Sequence, residues 1–131
     1  MKTQAVKEVP SQPEDWPAFF CRYLNDGDLD AVMDLYDPNA RFVEISGDMA
    51  IGRDRIRRNL TELIRAKAKL QSKVLRTTVV DEIAQLYTDF DGTTVDASGN
   101  IVEFHSRAVE VLRRQVNGSW LLIIGDPSAR K

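Results

Sequence analysis

The sequence predicts an α+β domain in which one curved antiparallel sheet wraps three helices and leaves an apolar pocket between the layers. Three observations carry this. Apolar residues recur at helical spacing in the first half of the chain. From about residue 70 onward the pattern changes to long runs rich in β-branched residues, broken by short polar turns. Helices gathered at one end and strands at the other indicate segregated layers rather than a parallel sheet. Such a sheet must curl to bury the helical stripes, and curling makes a concave face.

Residues 1–12 read as a flexible arm and 13–131 as a single domain. The first helix spans about Glu14 to Asn25, with Asp15 as its N-cap. Pro17 is tolerated because first-turn N–H groups have no helical partner. Trp16, Phe19, Phe20, Tyr23 and Leu24 form one aromatic face, and Asn25-Asp26-Gly27 stops the helix, with Gly27 suited to a left-handed position. Asp28 caps a short second helix with the stripe Leu29, Val32, Met33 and Tyr36, which Asp37-Pro38-Asn39 ends with turn chemistry.

Arg41 to Ile45 alternates as a strand, Ser46-Gly47-Asp48 turns the chain, and a very short strand covers Met49 to Ile51. Gly52 precedes a third helix over about Arg53 to Ala66, with Ile56, Leu60, Leu63 and Ile64 facing inward. Four long strands follow at Leu70 to Val80, Ile83 to about Asp96, Ile101 to Val116 and Ser119 to Asp126. Among the turns between them Asn117-Gly118 is the strongest hairpin signal, since both residues accept positive φ.

A chain of 131 residues is one domain's worth, and at 43% hydrophobic and 29% charged it can bury a core and remain soluble. No stretch approaches the roughly 20 apolar residues of a membrane span. Met1 to Val9 lacks the apolar run of a signal peptide, so a cytoplasmic location is expected. The single cysteine, Cys21, excludes an internal disulfide and, beside Phe19 and Phe20, reads as a buried inert thiol. The net charge is −2, yet residues 53–76 hold nine Lys/Arg against Asp54 and Glu62. No aromatics interleave these basic residues, so they read as a solvated face paired with acidic neighbours rather than a nucleic-acid surface. One histidine and one cysteine offer no soft metal site, and the sequence has no phosphate loop, dinucleotide fingerprint or G-x-S-x-G; no metal or cofactor is expected.

The run Phe20-Cys21-Arg22-Tyr23-Leu24-Asn25-Asp26-Gly27-Asp28-Leu29-Asp30 resembles the opening of the nuclear transport factor 2-like superfamily, nearest its ketosteroid isomerase and SnoaL-like branches. Leu35-Tyr36-Asp37-Pro38-Asn39-Ala40-Arg41-Phe42, Gly52-Arg53-Asp54-Arg55-Ile56 and Val111 to Trp120 continue the resemblance over roughly residues 14 to 127. It implies a cone-shaped cystatin-like fold with an internal pocket, commonly a homodimer packed through the outer sheet faces.

Ketosteroid isomerase moves a proton with a carboxylate base and stabilises the enolate with a tyrosine and a protonated aspartic acid. Counting without a gap from Asn25-x-Gly27-Asp28-Leu29, the resemblance puts Glu44 at the base, Phe20 at the tyrosine and Glu110 at the aspartic acid. Phe20 has no hydroxyl, which departs from the isomerase pattern; Tyr23 lies one turn away. Glu110 also stands out on physical grounds. It is the only ionisable group in the row Val102, Phe104, Ser106, Ala108, Glu110 and Leu112, while Glu103, His105, Arg107 and Arg113 share the other face. A buried carboxyl without a partner holds its proton and can donate it to a hydrogen bond.

The expected pocket walls are Trp16, Phe20, Met33, Phe42, Leu86, Phe90, Phe104, Leu112 and Trp120, with Tyr23 nearby and Asp126 at the rim. The final strand, Trp120-Leu121-Leu122-Ile123-Ile124, is apolar on both faces, and a second subunit is the expected cover for its outer side. Three functions stay open: acid–base chemistry on a small apolar substrate (isomerisation, cyclisation, dehydration or hydrolysis) with Glu44 as base and Glu110 as polariser, a non-catalytic ligand-binding or dimerisation module, and polyanion binding through residues 53–76.

Overall fold

The computed structural model describes residues 7–130. A 3-10 turn at Pro13–Asp15 runs into α1 (Trp16–Asn25), followed by α2 (Leu29–Met33), β1 (Tyr36–Val43), β2 (Met49–Ile51), α3 (Arg53–Arg65), β3 (Lys69–Val80), β4 (Ile83–Val95), β5 (Ile101–Arg114) and β6 (Trp120–Arg130). The strands form one curved, unclosed sheet in the order β2-β1-β6-β5-β4-β3. All pairs are antiparallel except β1 with β6. That exception follows from connectivity: after α3 the chain crosses to the far edge and meanders back until β6 meets β1. None of the described helices is long and apolar enough to cross a membrane.

Local chemistry explains most boundaries. Asp28 caps α2 by accepting a hydrogen bond from the Ala31 N–H at 3.1 Å, and Gly27 supplies the φ of +71° that separates α1 from α2. Asp15 takes no side-chain capping bond, because the 3-10 turn delivers the backbone already in helical geometry. α2 is shorter than its apolar stripe suggests. Tyr36 leaves the helix and opens β1, where Asp37 makes an Asx turn to the Asn39 N–H at 2.9 Å and the pairing with β6 slips between Tyr36 and Arg41. The turn signal at Asp37-Pro38-Asn39 thus becomes a bulge within a strand. At Asn117-Gly118 only Gly118 takes positive φ, +88°, and the Gln115-to-Ser119 hairpin closes as a three-residue loop instead of a two-residue turn.

The helices cover one sheet face. Strict alternation of burial along β4 places Ala84, Leu86, Thr88 and Phe90 inward, and the paired row of β5 contributes Ala108, Glu110 and Leu112. These join Trp16, Phe20, Leu24, Val32, Leu35, Ile56 and Leu60 in one core. Trp16 stacks on Phe20 with centroids 5.3 Å apart and donates its indole N–H to the Leu35 carbonyl at 2.9 Å. Asn25 pairs with the β3 edge through both polar atoms, its amide oxygen accepting from the Leu70 N–H and its NH2 donating to the Leu70 carbonyl. This side chain occupies part of an otherwise open strand edge. Within the segment read as an arm, residues 7–12 lie against the domain: Pro10 is buried, its carbonyl accepts from the Trp120 N–H at 2.9 Å, and the Glu8 carbonyl accepts from the Tyr23 hydroxyl.

Candidate functional site

Glu110 lies on the inner face of β5, 4% exposed, opposite Leu86 on β4 and Gly125 on β6. One carboxyl oxygen accepts a hydrogen bond from Thr88 Oγ1 at 2.7 Å. Burial pushes its pKa up to about 7, against the opposing pull of that bond. No Lys or Arg pairs with it among the described residues. The groups that feel its charge are Cys21 of α1 and Tyr36 of β1. Burial first, and the field of Glu110 in addition, hold both in their protonated forms; the Cys21 thiol is pushed up to about 11.

Leu86 faces Glu110 and Leu112 follows it on β5, while toward Phe90 the inward side chains of the sheet are small. Thr88 pairs with Ala108, and Ser72 and Ser106 flank Phe90 on either side. Large aromatics stand over them: Phe20 meets Phe90 edge-on at 6.1 Å, and Trp16 meets Tyr36 edge-on at 5.8 Å. Trp16, Phe20, Met33, Leu86, Phe90, Leu112 and Trp120 are all buried in the core, while Phe42 and Phe104 are half-buried nearer its edge. Phe42 sits over Gly125, where a Cβ would approach the Phe42 Cβ to 3.3 Å. Glycine at 125 thus lets β1 close onto β6 beside Glu110.

Glu44 occupies a different setting. It follows the end of β1, and its carboxylate is held by α3: Arg55 donates Nη2–H at 2.5 Å and Nε–H at 3.1 Å, and Asn59 donates Nδ2–H at 2.7 Å. Hydrogen bonds from Arg55 and then Asn59 keep its pKa below the usual carboxylate value. That makes Glu44 a weaker base than an unpaired glutamate, with both oxygens already engaged. Tyr23 spends its hydroxyl on the Glu8 carbonyl, and Asp126 pairs with Val109, which carries it to the outer face, opposite to that of Glu110. His105 is also outside, 2.6 Å from Asp91.

The basic segment is largely engaged within the molecule. Arg55 pairs with Glu44, Arg57 with Asp30 and Arg65 with Glu62, while Arg53 and Lys69 donate to the Tyr36 and Asn25 carbonyls. Two surface clefts lie away from Glu110. One of about 210 Å³ lies between the C-terminal ends of α1 and α3, and one of about 410 Å³ lies between Pro13, Val79 and Trp120.

Sequence reasoning missed Tyr36 and Thr88 as neighbours of Glu110. Tyr36 fits the helical spacing of α2, which hid its place in a strand. Thr88 was legible, because it falls in the buried alternation of β4.

Comparison with known proteins agrees with this architecture. The model of the SnoaL-like domain matches residues 18–123. A search of curated proteins finds no match. Among solved structures, a ketosteroid isomerase-like protein from Erwinia carotovora atroseptica is similar at 17% identity and a TM-score of 0.78, over 88% of this chain and 91% of its own. A putative calcium/calmodulin-dependent protein kinase II association domain from Xanthomonas campestris is similar at 20% identity and a TM-score of 0.75, over 99% and 97%. An NTF2-like protein with a cystatin-like fold from Novosphingobium aromaticivorans aligns at 15% identity and a TM-score of 0.72, over 87% and 77%. At such identities the structures share the fold, and fold alone does not carry activity. With most of its length matched by the family model, and the cystatin-like architecture in place around Glu110, the chain belongs to the SnoaL-like domain family.

Proposed function

We propose that this protein binds a small, largely apolar molecule between the helices and the inner sheet face, against Glu110. The observation that carries the reading is a buried carboxyl with one hydrogen bond and no cationic partner, set among aromatic and small side chains. A core retains such a group at a cost in stability, which favours a functional reason for it. Binding without turnover fits better than two-carboxylate catalysis, because Arg55 and Asn59 occupy the second candidate, Glu44. Thermal denaturation with a panel of apolar probes should show Tm rising by roughly 5 °C or more at saturation for at least one. Mass spectrometry of the same mixtures should find each probe unconverted, and Glu44→Gln should leave the shift in place. A panel with no shift removes the pocket, and a product that disappears in Glu44→Gln restores the catalytic reading.

The same proposal places a second copy of the chain on the outer sheet face. None of the described helices covers that side, and Ile83 and Ile124 remain 39% and 47% exposed there. Light scattering should give a dimer mass that Ile124→Asp halves; a monomer at all concentrations would sink this part.

A further inference from the structure

We infer that the ligand of the Glu110 site carries a protonated amine, which pairs with the Glu110 carboxylate inside a surround of aromatic rings. The inference rests on the pocket reading above and names the chemical class that pocket takes.

The argument starts from what the side chains beside Glu110 can do. On α1 the titratable neighbour is Cys21, on β1 it is Tyr36, on β4 the neighbour is Thr88, and on β6 the residue directly opposite is Gly125. Thr88 donates its hydroxyl to the carboxyl, the Cys21 thiol is hydrogen-bonded to Ser72, and Tyr36 meets Glu110 only through its field. No charged side chain from any element shifts the Glu110 carboxyl. The site therefore holds one acid with one hydroxyl donor, Thr88, and among the described residues no protein cation to complete the pair.

Among the described residues the carboxyl makes a single hydrogen bond, through Oε1 to Thr88, so Oε2 remains for a ligand. A neutral ligand bearing an acceptor oxygen could use only the one carboxyl proton, and only in the fraction of molecules that hold it. An ammonium group supplies the missing positive charge and several N–H donors to the open oxygen.

The surround favours the same charge. Trp16, Phe20, Tyr36 and Phe90 form a connected set of rings with centroid separations of 5.3 to 6.1 Å. A desolvated carboxylate in so apolar a surround selects an alkylammonium over the isosteric alcohol, because the alcohol leaves the anion uncompensated.

The test uses the full chain and two probes of one skeleton, benzylamine and benzyl alcohol, titrated calorimetrically at pH 6, 7 and 8. Benzylamine stays protonated over that range, so any pH dependence reports the protein. With Glu110 titrating near 7, benzylamine affinity should rise about tenfold from pH 6 to pH 8, and the amine should bind at least tenfold tighter than the alcohol at pH 8. Glu110→Gln, which keeps the shape, should bring the ratio of the two affinities to about one, and Thr88→Val should lower it partway. Circular dichroism and melting of each variant distinguish a lost site from a lost fold. Equal or tighter binding of the alcohol at pH 8 overturns the amine class while leaving the pocket standing. Binding of neither probe overturns the amine class, and the pocket falls with it only if the wider apolar panel also fails to stabilise the chain.

Discussion

Glu110→Gln should be more stable than the parent chain at pH 8 and should lose most of that advantage at pH 5. The folded-state pKa of Glu110 is raised by burial to about 7, from an ordinary value of 4.5. The folded chain therefore binds more protons than the unfolded chain between those values. The contribution of this group to stability is fully present below the unfolded pKa and is lost as pH rises through 7. The span corresponds to a penalty of about 3 kcal/mol above pH 7. Glutamine does not titrate, so the variant should show a nearly flat profile from pH 5 to 8 where the parent declines. Urea denaturation at three pH values measures both slopes. A parent profile that is flat over this range would mean that water reaches the carboxyl and that the buried-acid reading is wrong. The decline, if seen, is also a functional statement, because an ammonium bound at Glu110 should cancel it.

Asp37→Ala should destabilise the fold by about 2–3 kcal/mol at pH 7, read from the urea midpoint. Asp37 is 2% exposed and ties β1 to β5 across β6. Its Oδ2 accepts from Arg113 Nη2 at 2.9 Å and Gln115 Nε2 at 3.0 Å, and its Oδ1 accepts from the Asn39 N–H at 2.9 Å. Burial pushes its pKa up, but the bonds from Asn39, Arg113 and Gln115 outweigh burial and leave it below the ordinary carboxylate value. Removing it leaves the Asn39 N–H without its acceptor and Gln115 with only the Arg113 carbonyl, while Arg113, with its side chain 44% exposed, falls back on water. That escape is why the expected loss lies below the 3–5 kcal/mol typical of a fully buried pair. The sign with pH is opposite to that of Glu110. Asp37 stabilises above the unfolded carboxylate pKa of about 4, and its contribution disappears as pH falls through its lower folded pKa. The parent should thus be most stable at mildly acidic pH, and Asp37→Ala should lose less stability than the parent does on acidification. A substitution that costs under about 0.5 kcal/mol would show that the bulge at Asp37-Pro38-Asn39 holds without its anchor.

The amine class and the Glu110 stability profile depend on the same burial. A protein that carries an unpaired acid in its core gives up stability for it, as functional sites commonly do. A cationic ligand that stabilises the chain more at pH 8 than at pH 6 would link the two.

The order and type of the elements follow from local signals, since periodicity, caps and turn residues act within a few positions of one another. The alternation Val102 to Leu112 likewise placed Glu110 on the inward face, because a strand offers only two sides. Tertiary structure decided what each carboxylate meets. Glu44 and Arg55 are 11 residues apart and on different elements, so no local pattern pairs them. Tyr36 satisfied the helical stripe of α2 and was claimed by β1 once β6 offered Leu122 as its partner. Asp37 found Arg113 and Gln115 more than 70 residues away. Local rules fix where a side chain points. Whether it finds there a cation, a hydroxyl or only aromatic rings depends on long-range packing, and at Glu110 that packing supplied everything except a positive charge.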